Sequence, residues 1–470
     1  MVRLNNDLKT STQPIQTISP DRLKVLALSD QEVIKLALDE EEKAAREQPK
    51  VYANVIKNRI ATYRKMKAEA FLDVVKTSFG KGAEKPAVAK PSKVITTGLK
   101  PSEEVEIARR LVVADQRKLA PHGYIPVPPT PAEAAEAAKA VEASKNFEEC
   151  DRCAARFQVY PDRNAEGKLT SNGPCKHHPS KKVFPTRQKT DHYTGGNDPF
   201  YPCCMERVGS PGCTTIEDHV FKASSPARLA AVLPFITTPE NPNPAKDSKG
   251  RPVGAVCFDC EMCYTVFGLE LVRLTAISWP ENEPLLDVLV RPLGTVIDLN
   301  SRYSGVWPEH FANAIPYETW KAQQQQQTTT PTPTPSPLPI VPTPSSARAL
   351  LLTYLAPLTP LIGHAIDNDL NATRLCHPSI IDTVLLYPHP RGLPLRNGLK
   401  KLAGKFLERE IQNGGERGHD SLEDAVATGD LVMVRVGRLV REGMGRKRGL
   451  DGVEEEGGDG EVGGLRSREG

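Results

Sequence analysis

Apolar residues recur at helical spacing near the start of the chain. "SDQE" at Ser29 to Glu32 has capping-box spacing ahead of "VIKLAL", and Pro49 stops the helix so begun. Between Val51 and Val75, apolar positions fall at Tyr52, Val55, Ile56, Ile60, Tyr63 and Met66 with lysines and arginines between them. That pattern predicts a second amphipathic helix with a solvated face. From Gly80 to about Pro129 the chain is rich in Lys, Pro and Gly and reads mostly as linker. Thr130, Pro131 and Glu133 then cap a further helix. Residues 1–147 are thus expected to be helical, with linkers.

After Gly254 the period changes to two. In "GAVCFDCEMCYTV", Val256, Phe258, Cys260 and Met262 share one face of a strand, while Cys257, Asp259 and Glu261 share the other. "ELVRLTAISWP" from Glu270 and "PLLDVLVRPL" from Pro284 read as two more strands, giving an antiparallel meander. Later segments alternate: "ARALLLTYLAPL" predicts a helix, "PLIGHAIDNDLNATRL" a strand entering a helix, and "PSIIDTVLLYP" a strand and a helix start. The fold class is therefore α/β with a mixed sheet, spanning residues 250–442. A Gln/Thr/Pro-rich insertion at 323–346 is expected to loop out, and the Gly/Glu/Arg-rich tail at 443–470 to be disordered.

Composition narrows this picture. A hydrophobic fraction of 39% and 42 prolines in 470 residues imply that only about half the chain is well folded. A net charge of +3 is too small to announce a nucleic-acid partner. The opening residues carry no apolar core of the signal-peptide kind, and the run "ALLLTYLAPLTPLI" from Ala349 is short and broken by proline. A soluble, intracellular protein with no membrane partner is expected.

Of ten cysteines, Cys257, Cys260, Cys263 and Cys376 lie in apolar contexts and read as core. The other six cluster among histidines. Cys150, Cys153, Cys175, His178, Cys203, Cys204, Cys213 and His219 suffice for two tetrahedral zinc sites in a module at 148–222. This stretch is too polar to fold by apolar burial alone, so one or two structural zinc ions are expected to supply the missing free energy. The pairing of ligands stays open, and His177 or His192 can replace one of those named. The order of cysteines and histidines resembles CHORD-type zinc modules and the Cys/His segment ahead of the nuclease domain in some Rex-type RNA exonucleases.

Asp259 and Glu261, adjacent on one strand face, repel each other when buried and call for a divalent cation. A third acid lies in "GHAIDNDL", where Asp367 and Asp369 both qualify; Asp369 is preferred because Leu370 and the following helical pattern aim it back at the sheet. A fourth lies in "GHDSLEDAVATGDLV". There Asp424 shares an inward face with Ala425, Thr428 and Leu431, and His419 precedes the helix.

Asp-x-Glu, then Gly-His-x4-Asp-Leu, then His-x4-Asp, in that order, resemble the three motifs of DEDDh 3′→5′ exonucleases on an RNase H-like fold. With "RYSGV" at Arg302, "IIDTVLLYPHP" at Ile380 and "LPLRNGLKKLAGKFLEREIQ" at Leu393, residues 255–436 are most similar to Rex-type RNA exonucleases of the fungal RNA exonuclease 3 group. The resemblance extends to the cysteine cluster and, more loosely, to the N-terminal helices.

It implies that Asp259, Glu261, Asp369 and Asp424 hold two Mg²⁺ or Mn²⁺ ions and that His419 is the general base in a hydrolysis releasing nucleoside 5′-monophosphates. The implied substrates are 3′ ends of structured non-coding RNA precursors, the implied partners those of RNA-processing complexes. Together with the basic "GRKRG" at Gly445, they suggest nuclear and cytoplasmic pools. Leu269 is a candidate wedge for the terminal base, whereas Phe258 and Met262 are expected to fill core. A single-stranded DNA exonuclease on the same scaffold and a non-catalytic zinc-based scaffold are the competing readings.

Overall fold

The computed structural model describes residues 1–11, 23, 26–47, 52–79, 95–185, 198–326, 337–412 and 418–450. Among these, four N-terminal helices, Val2–Thr10, Asp30–Glu47, Tyr52–Lys65 and Ala68–Phe79, pack around a small core of their own. The capping box forms as expected: the Ser29 N–H donates to Glu32 Oε2 at 2.7 Å and the Glu32 N–H to Ser29 Oγ at 3.3 Å. The single helix expected over 51–75 is instead broken at Met66 and Lys67. Tyr52–Lys65 buries no side chain, whereas Phe71, Leu72 and Val75 are buried with Leu4, Leu8 and Leu36. The break re-aims the second half so that this apolar cluster can close.

The meander forms as β1 (Ala255–Thr265), β2 (Gly268–Trp279) and β3 (Pro284–Val290), followed by β4 (Val296–Asp298), β5 (Ile315–Pro316), β6 (Pro339–Val341), β7 (Leu361–Gly363) and β8 (Ile380–Asp382). The central sheet has the order β5-β6-β3-β2-β1-β7-β8, with β4 pairing β1. β1 runs antiparallel to β2 and parallel to β7, so the sheet is mixed. Each face is covered. Val256, Phe258 and Cys260 pack on one side with Leu351 of the helix Pro344–Leu352, while Ala255, Cys257 and Ile277 pack on the other with Ala425 and Val432 of the helix Ser421–Leu450. The Trp279 indole N–H donates to the Gly429 carbonyl at 3.0 Å, which seats that helix on the sheet.

Three segments differ from expectation. The presumed linker contains a helix, Pro101–Ala108, whose Val105 and Ala108 are buried against β1, and Tyr124 enters the main core. Its apolar residues are too few to reveal a helix face in sequence, and only the sheet gives them something to cover. Inside the low-complexity span, Pro339–Val341 is a buried strand of the sheet; residues 327–336 of that span lie outside the described residues. The last helix runs to Leu450, past the expected boundary at 442, and the tail beyond lies outside the described residues. No described helix is long and apolar enough to cross a membrane.

Candidate active site

β1 carries the first two acids. Asp259 stands opposite Thr275 and Glu261 opposite Arg273 on β2, with a bulge between Glu261 and Met262. The bulge breaks strict alternation just past the acids, and Met262, expected in the core, is half-buried and borders an open cleft. Phe258 lies in the core as expected. The cleft, of about 340 Å³, is also bordered by Leu269, Asn368, Lys222 and Arg396.

The helix Asp367–Thr373 begins at a turn built on Asp382. That carboxylate accepts from the N–H groups of Ala365, Ile366 and Val384 and from the Tyr124 hydroxyl, at 2.6–3.0 Å. Of the two acids left open by sequence, Asp367 is engaged by both terminal nitrogens of Arg396, at 2.6 and 3.1 Å. Asp369 is buried and has no ion-pair partner among the described residues. The turn thus separates a salt-bridged acid from one that joins the cluster.

Asp424 is buried one turn inside the last helix. Its Oδ2 accepts from Gln412 at 2.8 Å and lies 3.7 Å from His419 Nδ1, while its buried Oδ1 has no hydrogen-bond partner among the described residues. His419, 36% exposed, reaches this position because Gly305 and Gly418 both adopt left-handed backbone and pass in direct contact; a Cβ on either would overlap the other segment. The His419 N–H donates to the Tyr303 carbonyl at 3.3 Å.

The electrostatics are unbalanced. Burial and then the Asp424 carboxylate push Asp259 well up; burial and Asp259 do the same to Glu261 and to Asp369. Burial raises Asp424 to about 6. Arg273 opposes this for Asp259 and Glu261, but its guanidinium is bound to Asp287 at 2.7 and 2.8 Å. Four mutually repelling acids and one orphaned oxygen are a donor set for hard divalent cations. His419 is held below the ordinary imidazole value by burial and then by Lys400. Gln412, Arg273, Arg396 and Asp382 were not singled out from the sequence, where each reads as one polar residue among many; Gln412 and Arg396 do fall within the quoted motif from Leu393.

The eight expected thiol and imidazole groups converge as two sets of four: Cys150, Cys153, Cys175 and His219, and His178, Cys203, Cys204 and Cys213, with the ligand atoms of each set within 4.8 Å of one another. His219 donates its Nε2–H to the Asn172 carbonyl at 2.9 Å, leaving Nδ1 3.3 Å from Cys153 Sγ. His178 likewise donates to the Ser210 carbonyl at 3.1 Å, with Nδ1 3.4 Å from Cys204 Sγ. Both imidazoles are therefore fixed with a lone pair facing the thiols, the arrangement a metal-bound histidine requires. Burial and the neighbouring Cys150 push the Cys175 thiol well up, whereas for Cys150 backbone N–H groups outweigh burial and bring the thiol down to about 7. His177 is buried 3.8 Å from Cys175 but outside the foursome, and His192 lies outside the described residues.

RNA exonuclease 3 of Emericella nidulans is 48% identical to this chain over 443 residues, covering 92% of it and 67% of the relative. The chain belongs to the RNA exonuclease 3 family. RNA exonuclease 3 of Eremothecium gossypii is 32% identical over 342 residues, with 71% and 73% of the two chains covered. The profile of the RNA exonuclease 3 N-terminal domain matches residues 1–83, the helices with their own core. Among solved structures, the protease and nuclease unit of Neurospora crassa Pan2 aligns with 55% of this chain and 41% of its own, at 17% identity and a TM-score of 0.33, too remote to bear on the site. Membership of this family makes the protein an exonuclease, with RNA as the substrate class its relatives' names state.

Proposed function

We propose that the protein is a metal-dependent 3′→5′ exoribonuclease of the DEDDh type, acting on 3′ ends of non-coding RNA. The observation that supports this best is the convergence of Asp259, Glu261, Asp369 and Asp424 beside a half-exposed His419, with Asp424 Oδ1 left unpartnered. Two Mg²⁺ or Mn²⁺ ions held by these four carboxylates would offset their repulsion, neutralise the scissile phosphate and lower the pKa of the attacking water. The chain's own groups do the rest. His419, neutral at cellular pH because burial and Lys400 depress its pKa, takes the proton from that water. Met262 and Leu269 present apolar surface to the terminal nucleoside in the cleft, and Lys222 and Asn368, bonded at 3.0 Å, present polar groups to it. Asp367, neutralised by Arg396, does not compete for cations. Cleavage releases a nucleoside 5′-monophosphate.

The two Cys/His foursomes hold one structural zinc ion each in this reading, and the protein works in nuclear and cytoplasmic pools. The deciding experiment uses matched 5′-labelled single-stranded RNA and DNA oligonucleotides. A ladder shortening from the 3′ end, dependent on Mg²⁺ or Mn²⁺ and much faster on RNA, is expected. Internal cuts or release of the 5′ label first overturn the direction; equal rates on DNA overturn the substrate.

A further inference from the structure

A second depression, of about 830 Å³, lies between the Cys/His module and the sheet; His178, Cys203 and Cys213 of the second foursome close one end of it, and the rest of its lining has no part in the chemistry above. One side is formed by the module, including Lys181, and the other by the segment after β4, including Arg302, Tyr303 and Trp307. Tyr303 and Trp307 are 45% and 37% exposed, high for aromatic rings in a wall of a folded domain. Among the described residues neither Lys181 nor Arg302 has a carboxylate partner. Of the two acids in the groove, Asp298 takes the Arg152 guanidinium at 2.6 Å, which leaves Lys181 and Arg302 against the single carboxylate of Asp151. What the groove offers a ligand is therefore cationic charge beside aromatic faces.

Its position ties it to the acidic cluster. Tyr264, in its wall, is three residues past Glu261 on β1, about 10 Å along the strand. On another side the Tyr303 carbonyl holds the His419 N–H, and the Tyr303 hydroxyl donates to the Pro179 carbonyl at 3.0 Å, joining the module to the catalytic histidine's support. The Asp151 N–H in the groove donates to the Val220 carbonyl at 2.9 Å, two residues before Lys222 of the terminal-nucleotide cleft, so cleft and groove adjoin.

We propose that this groove carries the single-stranded RNA segment upstream of the 3′-terminal nucleotide, with bases stacked on Tyr303 and Trp307 and phosphates drawn to Lys181 and Arg302. The proposal rests on the exoribonuclease reading and extends it. Stacking on aromatic faces with fixed cations on the backbone is how single strands are bound without sequence preference. It also gives the Cys/His module a function besides its own folding: it forms one bank of the substrate channel.

The test compares a 5′-fluorescent 12-nucleotide RNA with a dinucleotide. Binding of the 12-mer is measured by anisotropy in Ca²⁺, and hydrolysis of both in Mg²⁺. Trp307→Ala should weaken 12-mer binding roughly tenfold, and Trp307→Phe should restore most of it. Lys181→Gln with Arg302→Gln should make the slope of log affinity against log salt shallower by about 1.4, the value for two lost phosphate contacts on a single strand. Dinucleotide hydrolysis should change by less than twofold in these variants. Tyr303→Phe, which keeps the ring and loses the Pro179 bond, should bind as wild type does. Wild-type affinity and salt slope in the Trp307 and double variants would overturn the groove alone, as would equal losses on 12-mer and dinucleotide. Wild-type protein that neither binds nor degrades RNA would overturn the exoribonuclease reading first.

Discussion

The acidic cluster and the Cys/His module both gather groups that repel one another when ionised, yet they depend on their surroundings in opposite ways. Asp259 and Glu261 stand on a sheet whose two faces are buried by helices, and Asp369 and Asp424 on helices packed against that sheet, so the scaffold holds them in place against their repulsion. Among the described residues the module has only short strands, Cys175–His177 paired with Thr214–Ile216 and Phe147–Glu149 paired with Arg156–Gln158, and a modest core around Phe157, Leu169 and Val220. Cys150 and Cys175 are themselves part of that core. The acidic cluster is thus mounted on a sheet with an apolar core on each face, while in the module two of the clustered thiols are themselves core.

The sharpest way to break this contrast is to remove the thiols. Cys175→Ser should lose one of two equivalents of zinc by elemental analysis and open the module to proteolysis, since each such site contributes on the order of 10 kcal/mol to folding. A thermally intact module with no bound metal would abolish the distinction. Replacing Asp259 and Glu261 together with Ala should do the reverse. Activity should fall by about 10³-fold or more, because several kcal/mol of charge stabilisation is removed, while the melting temperature holds or rises. Activity within a few-fold of wild type would sink the metal assignment.

Smaller effects sharpen the acidic side. His419→Ala should lower kcat by roughly 10² to 10⁴ with RNA affinity retained. In wild type, the acid limb of the rate profile should fall below the ordinary imidazole value, because His419 is depressed, and the variant should lack it. An unchanged limb in the variant would move the base elsewhere.

The last test is pH itself. Asp424 titrates near 6 in the fold against 3.8 when unfolded, so the folded chain retains a proton that the unfolded chain has released. Its contribution therefore becomes less favourable as pH rises from about 4 to 6, by up to about 3 kcal/mol. Metal-free protein should melt lower at pH 7 than at pH 4.5; Mg²⁺ should recover the difference, and Asp424→Asn should reduce it. A melting temperature independent of both would mean the carboxylate is compensated by the protein alone.

The order of elements from β1 to β3, the face shared by Asp259 and Glu261, the caps at Ser29 and Thr130 and all eight clustered ligands were legible in the sequence because each rests on spacing within a short stretch. Period-two alternation, a capping box and paired cysteines act over a few residues, and local sterics or valence suffices to express them.

Tertiary structure alone decided the rest. Which four ligands share a foursome depends on how Cys175 and His219 fold back beside Cys150, and whether Asp367 or Asp369 is free depends on Arg396, 29 residues away. The helix Pro101–Ala108 and the strand Pro339–Val341 carry too little periodicity to declare themselves; each forms because the sheet supplies an apolar face or an unpaired edge for it to cover. Burial, pairing and pKa are properties of what surrounds a residue, and those surroundings come from segments distant in the chain, where no local pattern can encode them.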